Sequence, residues 1–190
     1  MGVTIIECEI PGVFELETDV FGDERGFFTE LYNEAGLAEQ GFSKAFVQDN
    51  LSCSSKGVLR GLHYQVNPHA QGKLVRCVRG SIIDVAVDIR VGAPTYGQYV
   101  KRKLSWENGK ALYVPEGFAH GFLALEESTH VLYKCTANWA QGCEGTIQYD
   151  DPEIGIDWGA EPSLVNKKDL SAPKLAEANN NFIYEPPLGE

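Results

Sequence analysis

The feature that most constrains this chain is the two-residue alternation at its centre. In SIIDVAVDIR, Ile83, Val85, Val87 and Ile89 share one parity, while Asp84, Ala86, Asp88 and Arg90 share the other. Successive side chains of a strand point to opposite faces, so this run predicts a half-buried β-strand. Further short β-prone runs (GVLRGLHYQ, GKLVRCVRG, YGQYVKRKLSW, KALYVPEG, HGFLALE, HVLYKCTANW and GTIQYDD) follow turn residues at intervals of about ten residues. That rhythm predicts a mainly β protein, an antiparallel sandwich or barrel with a jelly roll preferred. Helical pattern is confined to residues 29–41 and 168–180, both stretches too short to lay a helical layer over a sheet.

The 190 residues suit one domain, 1–190, with its own hydrophobic core, and no internal repeat or low-complexity linker divides them. With 16 basic against 27 acidic side chains the net charge is -11, which repels a polyanion and argues against nucleic acid as a partner. A small anionic ligand remains open, because a few gathered cations bind phosphate whatever the total charge. Cys8, Cys53, Cys77, Cys135 and Cys143 form an odd, scattered set without a C-x-x-C pair, which argues against a disulfide framework or zinc knuckle. The opening MGVTIIECEIPG carries neither the basic-then-apolar pattern of a signal peptide nor a myristoylation signal. The expectation is a cytoplasmic protein that neither spans nor anchors to a membrane.

Chemistry-bearing residues cluster between positions 60 and 139. In RGLHYQ a regular strand would place Leu59, Gly61, His63 and Gln65 on one face, the barrel interior. A lone inward histidine is more often a satisfied core residue than a functional one. Arg60, Lys73, Arg76 and Arg79 crowd the same region, which reads either as an anion site or as a strand edge guarded by cations. Arg60 and His63 would face opposite sides, so one pocket uses both only with a kink at Gly61 or a second subunit. In PEGFAHGFLAL, Phe118, His120 and Phe122 share parity, giving a second histidine beside aromatic walls. Tyr133 and Trp139 also share parity but lie about 20 Å apart along an extended strand, as if serving different parts of a long ligand.

The histidine spacing is similar to the two metal motifs of a cupin barrel, but only His63 and His120 match. Gln65 stands where the second histidine of the pair would be, and Lys73 follows, where an ammonium would repel a divalent cation. His69 and His130 fall in a loop and at a strand edge. No metal site and no cofactor is expected.

Taken together, VFGDERGFFTE, FVQDNLSCSSKGVLRGLHYQ, QGKLVRCVRG, DVAVDIR, PEGFAHGF, LYKCTANW and YDDPEIGIDW closely resemble the dTDP-4-dehydrorhamnose 3,5-epimerase family over nearly the whole chain. The resemblance implies a cupin-type jelly roll with short peripheral helices, usually a homodimer that exchanges strands, acting on a dTDP-sugar. It implies His63 as base, Tyr133 as opposing acid, Asp169 as the carboxylate partner of the histidine, and Lys73 beside them. It further implies substrate contacts at Arg25, Phe28, Glu30, Gln48, Asn50, Arg60, His120, Glu144 and Lys168, with Trp139 stacking on thymine. Where the family often has two adjacent aromatics, this chain has Asn138 and Trp139.

These residue types suit the implied chemistry. Protons beside a ketone are acidic because the carbanion becomes an enolate, so such an enzyme needs a base and a group that stabilises the oxygen, which His63 and Lys73 supply. Inversion needs a proton delivered to the opposite face, the part a phenol at Tyr133 would take. Arginine forks, Arg25 and Arg60 first, would hold the pyrophosphate. The leading expectation is conversion of dTDP-4-dehydro-6-deoxy-D-glucose to dTDP-4-dehydro-L-rhamnose, in dTDP-L-rhamnose biosynthesis. A 3-epimerase or 5-epimerase of a related ketosugar, a non-catalytic sugar-nucleotide-binding cupin and a metal-dependent cupin oxygenase are the alternatives.

Overall fold

The computed structural model describes residues 2–186, so both ends of the expected 1–190 unit, residue 1 and residues 187–190, lie outside the described residues. Among the described residues, fourteen strands and two short helices follow one another. The first strands are β1 (Val3–Glu7), β2 (Phe14–Thr18), β3 (Val20–Asp23) and β4 (Gly26–Thr29), followed by α1 (Glu34–Ala38). The central run comprises β5 (Gln48–Ser54), β6 (Val58–Gln65), β7 (Lys73–Arg79), β8 (Ser81–Asp88) and β9 (Tyr99–Ser105). After it come β10 (Lys110–Val114), β11 (Phe118–Ala124), β12 (Thr129–Cys135), β13 (Glu144–Thr146), β14 (Leu164–Val165) and α2 (Lys167–Leu170).

The strands form two large sheets, ordered β1-β2-β10-β7-β12-β5 and β13-β6-β11-β8-β9, together with a separate β3-β4 hairpin. Pairing is antiparallel throughout except where β14 runs parallel beside β6. The two sheets close face to face over Val75, Cys77, Leu112, Val114 and Val131 from one and Ile82, Ala86, Val100, Leu104, Phe118 and Phe122 from the other. This is the expected mainly β jelly roll of cupin type with small helices at its margin.

Several local expectations are corrected. The run over β8 is covered on both faces: Asp84, Ala86 and Asp88, on the face expected to meet water, are buried, and opposite them Val85, Val87 and Ile89 are buried and Ile83 partly so. The latter four pack under a C-terminal cover that includes Ile147, Ile154, Trp158, Leu175 and Phe182. Residues 29–41 contain only α1, since Thr29 closes β4 and Asn33 starts the helix by accepting a hydrogen bond from Gly36 N at 3.2 Å. Residues 168–180 hold the end of α2 and a 3₁₀ turn, Leu175–Glu177; Pro173 stands between them and cannot continue a helix. No helix among the described residues is long and apolar enough to cross a membrane, and the five cysteines are unbridged.

Candidate active site

The site opens between the sheets at one end of the sandwich. A cavity of about 360 Å³ is lined by Gln48 and Asn50 from β5, His63 from β6, Lys73 from β7 and Tyr133 from β12, with Trp139, Glu144, Asn166 and Lys168 at its mouth. A second cavity, of about 210 Å³, adjoins it, and His63, Lys73, Tyr133 and Asn166 line both. Ser52, Arg60, His120 and Phe122 complete this inner part. His63 and Tyr133 therefore face one shared space from opposite sheets.

The reason Arg60 and His63 reach the same pocket is a break in β6. Against β11, His63 pairs with His120 and Arg60 with Phe122, so the register slips between them. The slip occurs at Gly61, whose φ of +130° suits glycine and whose added Cβ would lie 2.5 Å from the Cα of Gly121. The expected single face of Leu59, Gly61, His63 and Gln65 is thereby overturned: Leu59 joins Leu62 and Tyr64 in the outer core, while Arg60 and His63 turn inward. The expected basic cluster is likewise divided. Lys73 and Arg60 line the inner cavity, whereas Arg76 faces a groove on the opposite side of the sheet and Arg79 is exposed. Lys73 and Arg76 lie three apart on β7, so alternation puts them on opposite faces.

Behind His63 lies Asp169, fully buried, its Oδ1 accepting a hydrogen bond from Nε2 of the imidazole at 2.7 Å. Its Oδ2 accepts from Gly61 N at 3.2 Å and from Asn166 Nδ2 at 3.0 Å. Burial alone would raise the Asp169 carboxyl, but the His63 hydrogen bond and charge, the Gly61 N–H and Lys168 outweigh it and hold it below the ordinary value. A carboxylate that can only accept fixes the proton on Nε2 and leaves the imidazole lone pair on Nδ1. Asn166 was not anticipated. Its side chain also caps α2 by accepting from Asp169 N at 2.8 Å, and the N-x-x-D spacing of a capping residue was the signal available for it.

Lys73 is buried with its ammonium 3.3 Å from the carbonyl oxygen of His63, to which it donates. Burial pushes its pKa down, opposed by Cys135 and Asp84. Burial pushes the Tyr133 phenol up, with Cys135 adding and Arg60 opposing, so the hydroxyl keeps its proton at neutral pH. Arg60 donates through Nε to Ser54 Oγ at 3.0 Å and through Nη2 to the carbonyl of Cys53 at 3.1 Å.

At the mouth, Trp139 is 55% exposed. Its backbone N–H donates to Gln48 Oε1 at 2.8 Å and its indole N–H to Glu144 Oε1 at 2.9 Å. Gln48 and Glu144 thus aim the indole. The expected extended strand from Tyr133 to Trp139 is corrected, because β12 ends at Cys135 and the chain turns, so both line one cavity. Gln65 steadies that turn by accepting from Ala140 N at 2.8 Å and donating to the His69 carbonyl at 2.7 Å.

Arg25, Phe28 and Glu30 are not brought to this cavity within one chain. Arg25 sits at the tip of the β3-β4 hairpin, 84% exposed in its side chain and paired with Asp23. Phe28 is 58% exposed on the same hairpin, and Glu30 accepts from Asn33 Nδ2 at 3.1 Å. The hairpin pairs with neither large sheet, so nothing in the chain's own ladder folds it over the site.

Comparison with known proteins bears on this geometry. The family description "dTDP-4-dehydrorhamnose 3,5-epimerase" matches residues 7–177. A protein of that name from Salmonella typhimurium is 51% identical over 176 residues, covering 92% of this chain and 96% of its own. Another from Shigella flexneri is 48% identical over 178 residues, covering 93% and 98%. The crystal structure of a dTDP-6-deoxy-D-glucose-3,5-epimerase from Legionella pneumophila in complex with dTDP-4-keto-L-rhamnose superposes with a TM-score of 0.88 at 45% identity, covering 92% and 94%.

Proposed function

The chain belongs to the dTDP-4-dehydrorhamnose 3,5-epimerase family, and on that premise we propose that His63 and Tyr133 transfer the protons, with Asp169 and Lys73 supporting them. The enzyme is an isomerase that inverts carbons 3 and 5 of dTDP-4-dehydro-6-deoxy-D-glucose to give dTDP-4-dehydro-L-rhamnose. The observation that carries the assignment of residues is the shared cavity: a carboxylate-backed imidazole from one sheet and a protonated phenol from the other flank the same space.

Nδ1 of His63 takes the proton from a carbon beside the ketone, and the electron pair left behind moves onto the carbonyl oxygen as an enolate. The Lys73 ammonium, held in a dry position, stabilises that oxygen. The Tyr133 hydroxyl delivers a proton to the opposite face of the carbon, becoming a phenolate that recovers its proton once His63 has released the one it took. Repetition at the second carbon completes the double inversion. The nucleotide enters from the mouth, its base on Trp139 and its phosphates running inward between Lys168 and Arg60, with Gln48, Asn50 and Glu144 lining the path and His120 at the inner end. Remote binding of this kind orients the sugar between the two groups.

Arg25, Phe28 and Glu30 reach a site by exchange: in a homodimer, the hairpin of one subunit completes the cavity of the other. Support comes from the exposed Val20, Phe21, Phe27 and Phe28 of the hairpin, an apolar surface on a monomer that a partner would cover. The jelly roll forms one functional unit, and unbridged cysteines fit a cytoplasmic setting. Incubation with dTDP-4-dehydro-6-deoxy-D-glucose tests the assigned activity. NMR of the product should show inversion at carbons 3 and 5, and recovery of unchanged substrate would overturn the reading.

A further inference from the structure

The inner cavity contains a second histidine–aspartate pair that the reaction as described does not use. Nε2 of His120 donates to Oδ1 of Asp84 at 2.8 Å. His120 on β11 is the cross-strand partner of His63 on β6, so two imidazoles stand side by side, each tethered through Nε2 to a buried carboxylate. Asp84 is 0% exposed, its Oδ2 is buried without a hydrogen-bond partner, and His120 is the one ion-pair partner it has among the described residues. A buried carboxylate held by a single hydrogen bond costs stability, whereas a neutral or apolar side chain there would not. Its compensating effect must act on what it faces.

Asp84 itself does not line the cavity, so it acts through His120, which does. Tethering Nε2 fixes the proton there and leaves Nδ1 of His120 as the acceptor for a substrate hydroxyl in the inner cavity.

We propose that Asp84 is a positioning residue for the epimerisation, acting through His120. The proposal rests on the epimerase reading and deepens it.

The test is D84N in the full-length enzyme, with wild type assayed alongside. D84N should lower kcat on the order of 10²-fold with KM changed little, and ¹⁵N NMR of the folded variant should show His120 no longer held as the Nε2–H tautomer. H120Q should lower kcat as well, and the two losses should be less than multiplicative when combined. Asp88, buried on the same strand but paired with Arg90 and Thr95, gives the control, since D88N should lower Tm while leaving kcat near wild type. A folded D84N with wild-type kcat, or losses that multiply in the double variant, would overturn the proposal. Should D84N not fold, ¹⁵N NMR of the wild-type enzyme decides. His120 protonated on Nε2 supports the tether, and His120 protonated on Nδ1 alone overturns it. A wild-type enzyme that does not turn over would instead sink the epimerase reading itself.

Discussion

Nε2 of His63 lies 2.7 Å from Oδ1 of Asp169, a carboxylate with no exposed side-chain surface that is also held by Gly61 N and Asn166. The pair orients the base and selects its tautomer. Replacing the acceptor with an amide removes the charge and permits the wrong ring nitrogen to carry the proton, so D169N should lower kcat by roughly 10²- to 10⁴-fold. The folded carboxyl sits below its ordinary value, so its stabilising effect is present above the unfolded pKa of about 3.9 and lost as pH falls through the folded one. Urea titration should therefore find D169N less stable than wild type at neutral pH. The gap should close under acid; a gap that widens on acidification would contradict this.

Lys73 presents the opposite balance. Its folded pKa is depressed by burial, so the charged ammonium destabilises the native state at neutral pH, and that cost is relieved as pH rises through the depressed value. K73M should abolish most activity, a loss on the order of 10²-fold or more, while thermal melting at neutral pH stays level or rises. A marked fall in Tm would assign Lys73 a structural part instead.

Gly61 is where β6 changes face. A methyl group there would meet the Gly121 Cα at 2.5 Å and the His120 carbonyl oxygen at 2.8 Å, in a backbone conformation that L residues avoid. G61A should cost roughly 2–4 kcal/mol in chemical denaturation and reduce kcat more than the stability loss explains, because it disturbs both the His63 turn and the Asp169 contact. A stable G61A with normal kcat would show that the register slip does not depend on this glycine.

How much of this was legible beforehand depended on whether a signal was local. Period-two alternation revealed the strands from β6 to β12, and the parity of Phe118, His120 and Phe122 carried through to the inward face. The slip at Gly61 was foreseen only as a condition, since alternation cannot show where it breaks. Burial of both faces of β8 was invisible because the cover comes from residues 147 to 182, far along the chain. The residue roles came from resemblance across long blocks. Asp84 lay in plain view as the polar face of a strand, and only the cross-strand reach of His120 gave it a partner.

The exposed hairpin makes a quantitative test of assembly. Sedimentation should report a dimer, and R25A and H63N should each be nearly inactive alone. In a heterodimer one cavity regains both His63 and a partner's Arg25, so co-expression should restore about a quarter of wild-type activity. A monomer, or dimers with no recovery, would show that the hairpin does not complete a neighbouring site.

The central claim is that two groups on facing sheets, His63 and Tyr133, pass protons to and from the carbons beside one ketone. Solvent exchange followed by NMR in deuterated water with dTDP-4-dehydro-6-deoxy-D-glucose tests it most directly. Wild type should place deuterium at carbons 3 and 5, H63N at neither, and Y133F should lose inversion while the substrate still binds. Label appearing in H63N at the wild-type rate, or in wild type at carbon 3 alone, would contradict the account.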